Sequence, residues 1–246
     1  MNSALTIKNV SVEIAGRKIL KDVSLELNKG ESLGIVGPNG GGKTSLIKAI
    51  MGLYKYNGEI SIFGLSPEES RRQGIIGYLP QRSYFNPEFP VKAKDVVEMG
   101  FIKGFFTRKP KDYKEKIEKY ISLVKMEKWG NYPYGKLSGG QQQRISIARA
   151  LVSSPRILFL DEPNTGIDVV GQEDFYQLLF NLKKEFNISI ILVTHDIGII
   201  TSYLDKVACL NRVLHYHGDP VCTQDTELME KVYGKKVDRI LFHKSH

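Results

Sequence analysis

Two cysteines in a chain of 246 residues, Cys209 and Cys222, are too few for a disulfide framework, and neither has the close pairing of a zinc site. Both are read as ordinary reduced thiols. No apolar run approaches the roughly 20 residues that a membrane-spanning helix needs. The opening Met1-Asn2-Ser3-Ala4-Leu5-Thr6 lacks the charged-then-apolar order of a secretory signal, so the expectation is a soluble, cytoplasmic chain. There is no internal repeat, no low-complexity tract and no sustained heptad. With 41% hydrophobic and 25% charged residues, the composition suits one large globular unit or two closely joined lobes, and excludes a disordered tail or a fibre.

Charge is present in excess of one sign. A formal net charge of +8 fits nucleic acid, anionic headgroups or phosphate ligands as partners, and equally a solvated basic surface. Lysines crowd the stretch from Lys92 to Lys136, but in Lys114-Glu115-Lys116-Ile117-Glu118-Lys119 they alternate with acids, the mark of an exposed helix face more than of a nucleic-acid stripe.

Alternation of apolar and polar residues through Leu5–Val10 and Val23–Leu27, with Gly16 and Gly30 as breaks, predicts half-buried antiparallel strands. Ser32–Val36 reads as a short buried strand, followed by a glycine-rich turn and a helix from Lys43 to about Met51, with Leu46, Ile47 and Ile50 at helical spacing. From about Pro87 to Val152 the pattern is helical, and strands resume at Arg156–Leu160 and Ile188–Val193 around a helix near Phe175–Lys184. Continuous apolar strands alternating with helices indicate a parallel sheet covered on both faces.

Three segments carry chemistry. Gly37-Pro38-Asn39-Gly40-Gly41-Gly42-Lys43-Thr44 matches the phosphate-loop pattern of glycine, four residues, glycine, lysine, then serine or threonine. Its glycines let backbone N–H groups turn inward around phosphate oxygens, Lys43 reaches the β- and γ-phosphates, and the Thr44 hydroxyl suits Mg²⁺. A glycine turn that binds nothing is the poorer reading of so long a match between a strand and a helix. Ile157–Glu162 is a buried strand ending in two carboxylates: Asp161 suits Mg²⁺, and Glu162 suits the task of orienting and deprotonating a water. Alone, such a strand end often just meets solvent; beside the phosphate loop it becomes a catalytic candidate. Leu137-Ser138-Gly139-Gly140-Gln141 reads as a capping box, with Ser138 the cap and Gln141 reaching back, and its exposed N–H groups form an anion site.

In their order along the chain the segments resemble the ATPase domain of ABC transporters, over the chain from about Leu5 to Pro220. The resemblance implies an α/β fold: a P-loop NTPase core with a mostly parallel sheet (residues 1–86 and 153–246), an N-terminal antiparallel β subdomain and an inserted helical subdomain (87–152). It implies ATP and Mg²⁺ as cofactors, held by the 37–44 loop and by Thr44, Gln81 and Asp161 at the metal. Ser138, Gly139, Gly140 and Gln141 become the signature motif that closes on a second copy's nucleotide in a head-to-tail dimer. Glu162 becomes the base, Gln81 in Tyr78-Leu79-Pro80-Gln81 the glutamine that relays nucleotide state, Asp168 in Asn164-Thr165-Gly166-Ile167-Asp168 the dimer-loop aspartate, and His195 the switch histidine at the γ-phosphate. Without its neighbours His195 would read as a satisfied core histidine. Where family members place an aromatic residue on the adenine, this chain has Ile14, so stacking becomes apolar contact.

Pro80-Gln81-Arg82-Ser83, Glu88-Phe89-Pro90-Val91 and Asp95–Gly100 resemble the ATPases of zinc and manganese uptake systems, and Cys209-Leu210-Asn211 the zinc branch in particular. The implied partners are an integral-membrane permease, a second ATPase subunit and, indirectly, an extracytoplasmic solute-binding protein, at the cytoplasmic face of the membrane, with no nucleic acid. The alternative is a soluble or scaffolding ABC ATPase associated with nucleic acid or cell division; a P-loop kinase or GTPase does not explain Ser138–Gln141. His215 and His217 flank Tyr216, where an i, i+2 strand pair permits a surface metal contact, but exposed histidines in a late hairpin are the simpler reading. His243 and His246 lie in a polar tail.

Overall fold

The computed structural model describes residues 2–81, 89–102, 109–164 and 169–234. The chain divides into two compact units, Met1–Glu69 with Ser189–His246, and Ser70–Ile188.

The first unit opens with β1 (Ser3–Ile14) and β2 (Arg17–Asn28), which pair antiparallel across the Ala15–Gly16 turn, where both residues take positive φ. The expected alternation places Leu5, Ile7, Val10 and Val12 of β1 and Leu20, Val23, Leu25 and Leu27 of β2 in the core, each removing about 1.5–3 kcal/mol worth of apolar side chain from water. β3 (Ser32–Val36) is buried along its whole length, and α1 (Lys43–Ile50) buries Leu46, Ile47, Ala49 and Ile50. A strand that the sequence pattern does not announce, β4 (Asn57–Ile62), adds to the other edge of β1, in the order β2-β1-β4. Within α2 (Pro67–Gln73), at Ser70, the chain passes to the second unit.

It returns at β7 (Ser189–Val193), which runs parallel to β3, as does β8 (Lys206–Asn211) on the far side; α7 (Ile197–Tyr203) lies between them in sequence, and β9 (Val213–Gly218) closes an antiparallel hairpin on β8. Asp205 anchors this return by accepting from both the backbone N–H and the hydroxyl of Ser32, at 2.7 and 2.6 Å. Asp225 caps α8 (Thr226–Tyr233), its carboxylate accepting from the N–H groups of Glu227 and Leu228.

In the second unit β5 (Ile76–Leu79) and β6 (Ile157–Asp161) are parallel. Between them the described residues form helices α3 (Ala93–Glu98), α4 (Tyr113–Leu123) and α5 (Gly139–Leu151) with short 3-10 turns, and α6 (Val169–Phe186) follows β6. Ile117 and Ile121 of α4, and Ile145, Ala148 and Leu151 of α5, are buried stripes spaced four and three apart as helices require, and α3 buries the adjacent Val96 and Val97. Mixed sheet, antiparallel sheet and helices agree with the expected P-loop architecture.

Candidate functional site

In the first unit, the loop between β3 and α1 is shaped by backbone that only glycine tolerates. Gly37 has φ +152, and a Cβ there would stand 1.9 Å from the Leu210 carbonyl oxygen; Gly42, the N-cap of α1, has φ +96 and would meet Leu20 Cδ2 at 2.5 Å. No side chain caps α1, so its first N–H groups are left facing the loop. Lys43 is 6% exposed, and its ammonium donates to the Gly37 and Pro38 carbonyls at 2.8 and 3.0 Å. A buried cation held by two backbone carbonyls of its own loop, at the positive end of a helix, is the chemistry of an anion cradle: residues and loop fit a phosphate.

Residues far along the chain hold this loop in shape. The Arg212 N–H donates to the Gly41 carbonyl at 2.8 Å, and the Lys21 N–H donates to the Arg212 carbonyl at 2.8 Å. Tyr233 lies against the Gly37 backbone, and burial pushes its phenol up to about 12, so it stays neutral. Neither Arg212 nor Tyr233 has a sequence signal, because the contacts depend on β8 and α8 folding back.

β7 is parallel to β3, with Ile35 opposite Val193, so His195 leaves β7 at the same sheet edge as the loop. It is exposed; next to it Thr194 is buried and accepts from the Asp196 N–H at 3.1 Å, and Asp196 caps α7. Ile14 ends β1 at the hairpin turn, opposite Arg17, and is 38% exposed.

The second unit gathers another set. Leu79 pairs with Leu160, so the chain leaves β5 and β6 side by side, and Gln81 donates from its amide to the Glu162 carboxylate. Asp161 is 1% exposed at the end of β6. Glu162 takes φ +48, a left-handed conformation that costs a non-glycine residue on the order of 1 kcal/mol and re-aims its side chain out of the strand's alternation. Ser138 caps α5 as expected: its hydroxyl accepts from the Gln141 N–H at 3.3 Å, while the Gln141 side chain accepts from the Ser138 N–H at 3.0 Å. Ser138 and Gly139 are exposed. Gln142 fastens the preceding turn by donating to the Tyr134 and Leu137 carbonyls, both at 3.2 Å. Gln143 donates to the Pro163 carbonyl, one residue beyond Glu162, and so ties α5 to the carboxylate strand end. Sequence reading passed over Gln143; it lies one helical turn after Gly140, on a helix whose start was the recognised signal.

Asp168 falls outside the described residues, as do His243 and His246. A hydroxyl, an amide and a single carboxylate, as in Thr44, Gln81 and Asp161, are oxygen donors of the kind Mg²⁺ takes. Among the described residues no three His, Cys, Asp or Glu side chains cluster as a metal site. His215 and His217 do not share one face in the simple way expected: Cys209 pairs with Tyr216 and Leu210 with Leu214, so His215 is the extra residue of a bulge. His215 is exposed, whereas His217 is half-buried near the Glu26 backbone, and burial with the nearby Lys206 charge holds its imidazole below the usual range.

Residues 20–165 match the family model described as ABC transporter. The chain is 40% identical over 228 residues to a "Probable metal transport system ATP-binding protein" of Thermotoga maritima, covering 92% of this chain and 89% of that protein. It is 37% identical over 235 residues to the "Manganese transport system ATP-binding protein MntB" of Halalkalibacterium halodurans, covering 95% and 93%. Among solved structures, cbiO1 from Clostridium perfringens, part of the ABC transporter complex cbiONQ, superposes with a TM-score of 0.80 at 26% identity, covering 98% of each chain.

Proposed function

The chain belongs to the ABC transporter family and is an ATP-binding, ATP-hydrolysing subunit, and from that premise we propose that it powers the import of a divalent transition metal ion, zinc or manganese. The observation that carries the proposal is the likeness, over nine-tenths of the chain, to ATP-binding subunits named for metal and manganese transport. A "Zinc uptake system ATP-binding protein ZurA" of Listeria innocua, 37% identical over 222 residues, supports the same class.

The loop from Gly37 to Thr44 binds the nucleotide phosphates through its inward N–H groups and through Lys43, which exchanges the Gly37 and Pro38 carbonyls for phosphate oxygens. Glu162 orients and deprotonates the attacking water, and its left-handed backbone supports that role because strain of this kind persists where a side chain must be aimed. Gln81, bonded to Glu162, holds the carboxylate until the nucleotide arrives and passes its state outward. His195 contacts the terminal phosphate, and Ile14 gives the adenine an apolar contact. Thr44, Gln81 and Asp161 would hold Mg²⁺, which would supply positive charge against the phosphates. Ser138 and Gly140, at an exposed and already capped helix start, serve the nucleotide of a second copy, with Asp168 at the dimer contact.

An integral-membrane permease is the partner on which this ATPase acts at the cytoplasmic face, and it receives the ion from an extracytoplasmic binding protein. No helix among the described residues is long and apolar enough to cross a membrane. Phe89, Met99, Ile102 and Tyr132 of the second unit expose 57, 41, 66 and 40% of their surface. Glu162→Gln tests the catalytic assignment: ATP affinity should stay within a factor of about two while turnover falls by on the order of 10²–10⁴. Undiminished hydrolysis would remove Glu162 from the base role.

A further inference from the structure

Gln141, Gln142 and Gln143 follow one another at the start of α5, and each side chain has a different task. Gln141 accepts from the Ser138 N–H at 3.0 Å, and Gln142 donates to the Tyr134 and Leu137 carbonyls at 3.2 Å, so both finish the helix start locally. Gln143 leaves its neighbourhood: its amide donates to the Pro163 carbonyl, 20 residues on, in the same unit. Pro163 is buried and has no N–H, so that carbonyl is the one backbone group by which a hydrogen bond can hold it. We propose that Gln143 is a positioning residue for hydrolysis, holding Pro163 and through it the backbone that aims Glu162.

The strand end needs such a hold. Glu162 has φ +48, outside the right-handed and extended regions that an L-residue prefers, and it precedes a proline, whose ring favours an extended residue before it. Both effects oppose the observed backbone, which persists because the surroundings fix it. At the side chain, Gln81 donates to the Glu162 carboxylate; at the main chain, Gln143 fastens the next residue. A helix gives that second contact a firm base. Gln143 lies one turn beyond Gly139 and one turn before Ile147, which is fully buried, so its own backbone is set by packing. Without this donor the residues after β6 settle toward ordinary extended backbone, and the Glu162 carboxylate swings off its target.

The inference rests on the reading of Glu162 as the base and is independent of the transported ion. α5 begins at the segment assigned to a second copy's nucleotide, and Gln143 joins that same helix to the base of its own copy. The bond orients a carboxylate and does not hold ATP, since Lys43 and its loop belong to the other unit. Its loss therefore lowers kcat and leaves nucleotide affinity alone.

The test measures steady-state ATP hydrolysis and titration with a fluorescent ATP analogue on the full chain. Gln143→Leu keeps bulk and removes the donor, and Gln143→Lys restores one. Gln143→Leu should lower kcat by roughly 10–100-fold with ATP affinity within a factor of about two, and Gln143→Lys should return to within about threefold of the wild-type rate. In a Glu162→Gln background, adding Gln143→Leu should change the residual rate less than about twofold, because a base that is absent cannot be misaimed. Wild-type kcat in Gln143→Leu, a loss carried by affinity in place of kcat, equal rates in the two Gln143 variants, or full multiplication of the losses in the double variant would overturn the proposal. Where Gln143→Leu fails to fold, Gln143→Glu, of the same shape and without a donor when ionised, takes its place with the same expectation. If Glu162→Gln itself hydrolyses ATP at the wild-type rate, the base assignment and this proposal fall together; if it is inactive while Gln143→Leu is unimpaired, the role of Gln143 falls and the base stands.

Discussion

Both α1 and α5 start on a glycine-rich turn, yet the two starts are built differently. At α1 the cap is Gly42 in a left-handed conformation, no side chain satisfies the first turn, and the following Lys43 is buried with its ammonium on the loop's own carbonyls. At α5 the cap is Ser138, exposed and locked in a reciprocal box with Gln141. A helix N-terminus attracts anions in either case. The first is shaped from within by Leu210, Arg212 and Tyr233 and keeps its N–H groups for a ligand, whereas the second is complete in itself and presents a preformed surface. The difference matches the two roles proposed: α1 holds a nucleotide, and α5 closes over one held elsewhere.

The comparison breaks first at Lys43. Lys43→Ala removes charge-assisted bonds together worth about 3 kcal/mol, and titration with a fluorescent ATP analogue should show roughly a 100-fold loss of affinity. Gly37→Ala attacks the same start through the backbone. Its methyl would be driven onto the Leu210 carbonyl, costing about 3 kcal/mol and lowering the midpoint of thermal unfolding by about 6–12 °C. Ser138→Ala sharpens the contrast with the smallest effect: loss of a cap is worth about 1 kcal/mol, or roughly 2–4 °C by calorimetry. Affinity of the isolated chain for ATP should be unchanged, while turnover of the assembled form falls. A matching loss of ATP affinity in Ser138→Ala would erase the distinction between the two helix starts.

Both helix starts were legible because each is a local pattern: a strand, glycines and a lysine in one case, a serine and glutamine three residues apart in the other. β3, β6 and β7 were equally plain, since strands buried on both faces read as unbroken apolar runs. β4 was not, because Asn57-Gly58-Glu59 gives its first half no apolar face, and only pairing with β1 makes it a strand. The bulge at His215 was not legible either, because a bulge leaves no mark on an alternating sequence.

The contacts that finish the candidate groups were invisible at the sequence level. Gln143 reaches Pro163, Arg212 reaches Gly41 and Tyr233 lies against Gly37, each across a separation over which no periodicity carries information.

What the chain's order of residues settles unaided is the inventory of chemistry: a phosphate loop, a strand ending in two carboxylates, a capped glycine-rich helix, and the family those three share. Short-range sterics and hydrogen bonding suffice for that, because glycine, lysine and serine act within a few residues of their own backbone. Tertiary structure alone decided how the phosphate loop is held and which residues stand beside Glu162. Those outcomes depend on parallel strands and returning helices that bring distant backbone together, and loop closure over such distances is governed by packing and not by local preference.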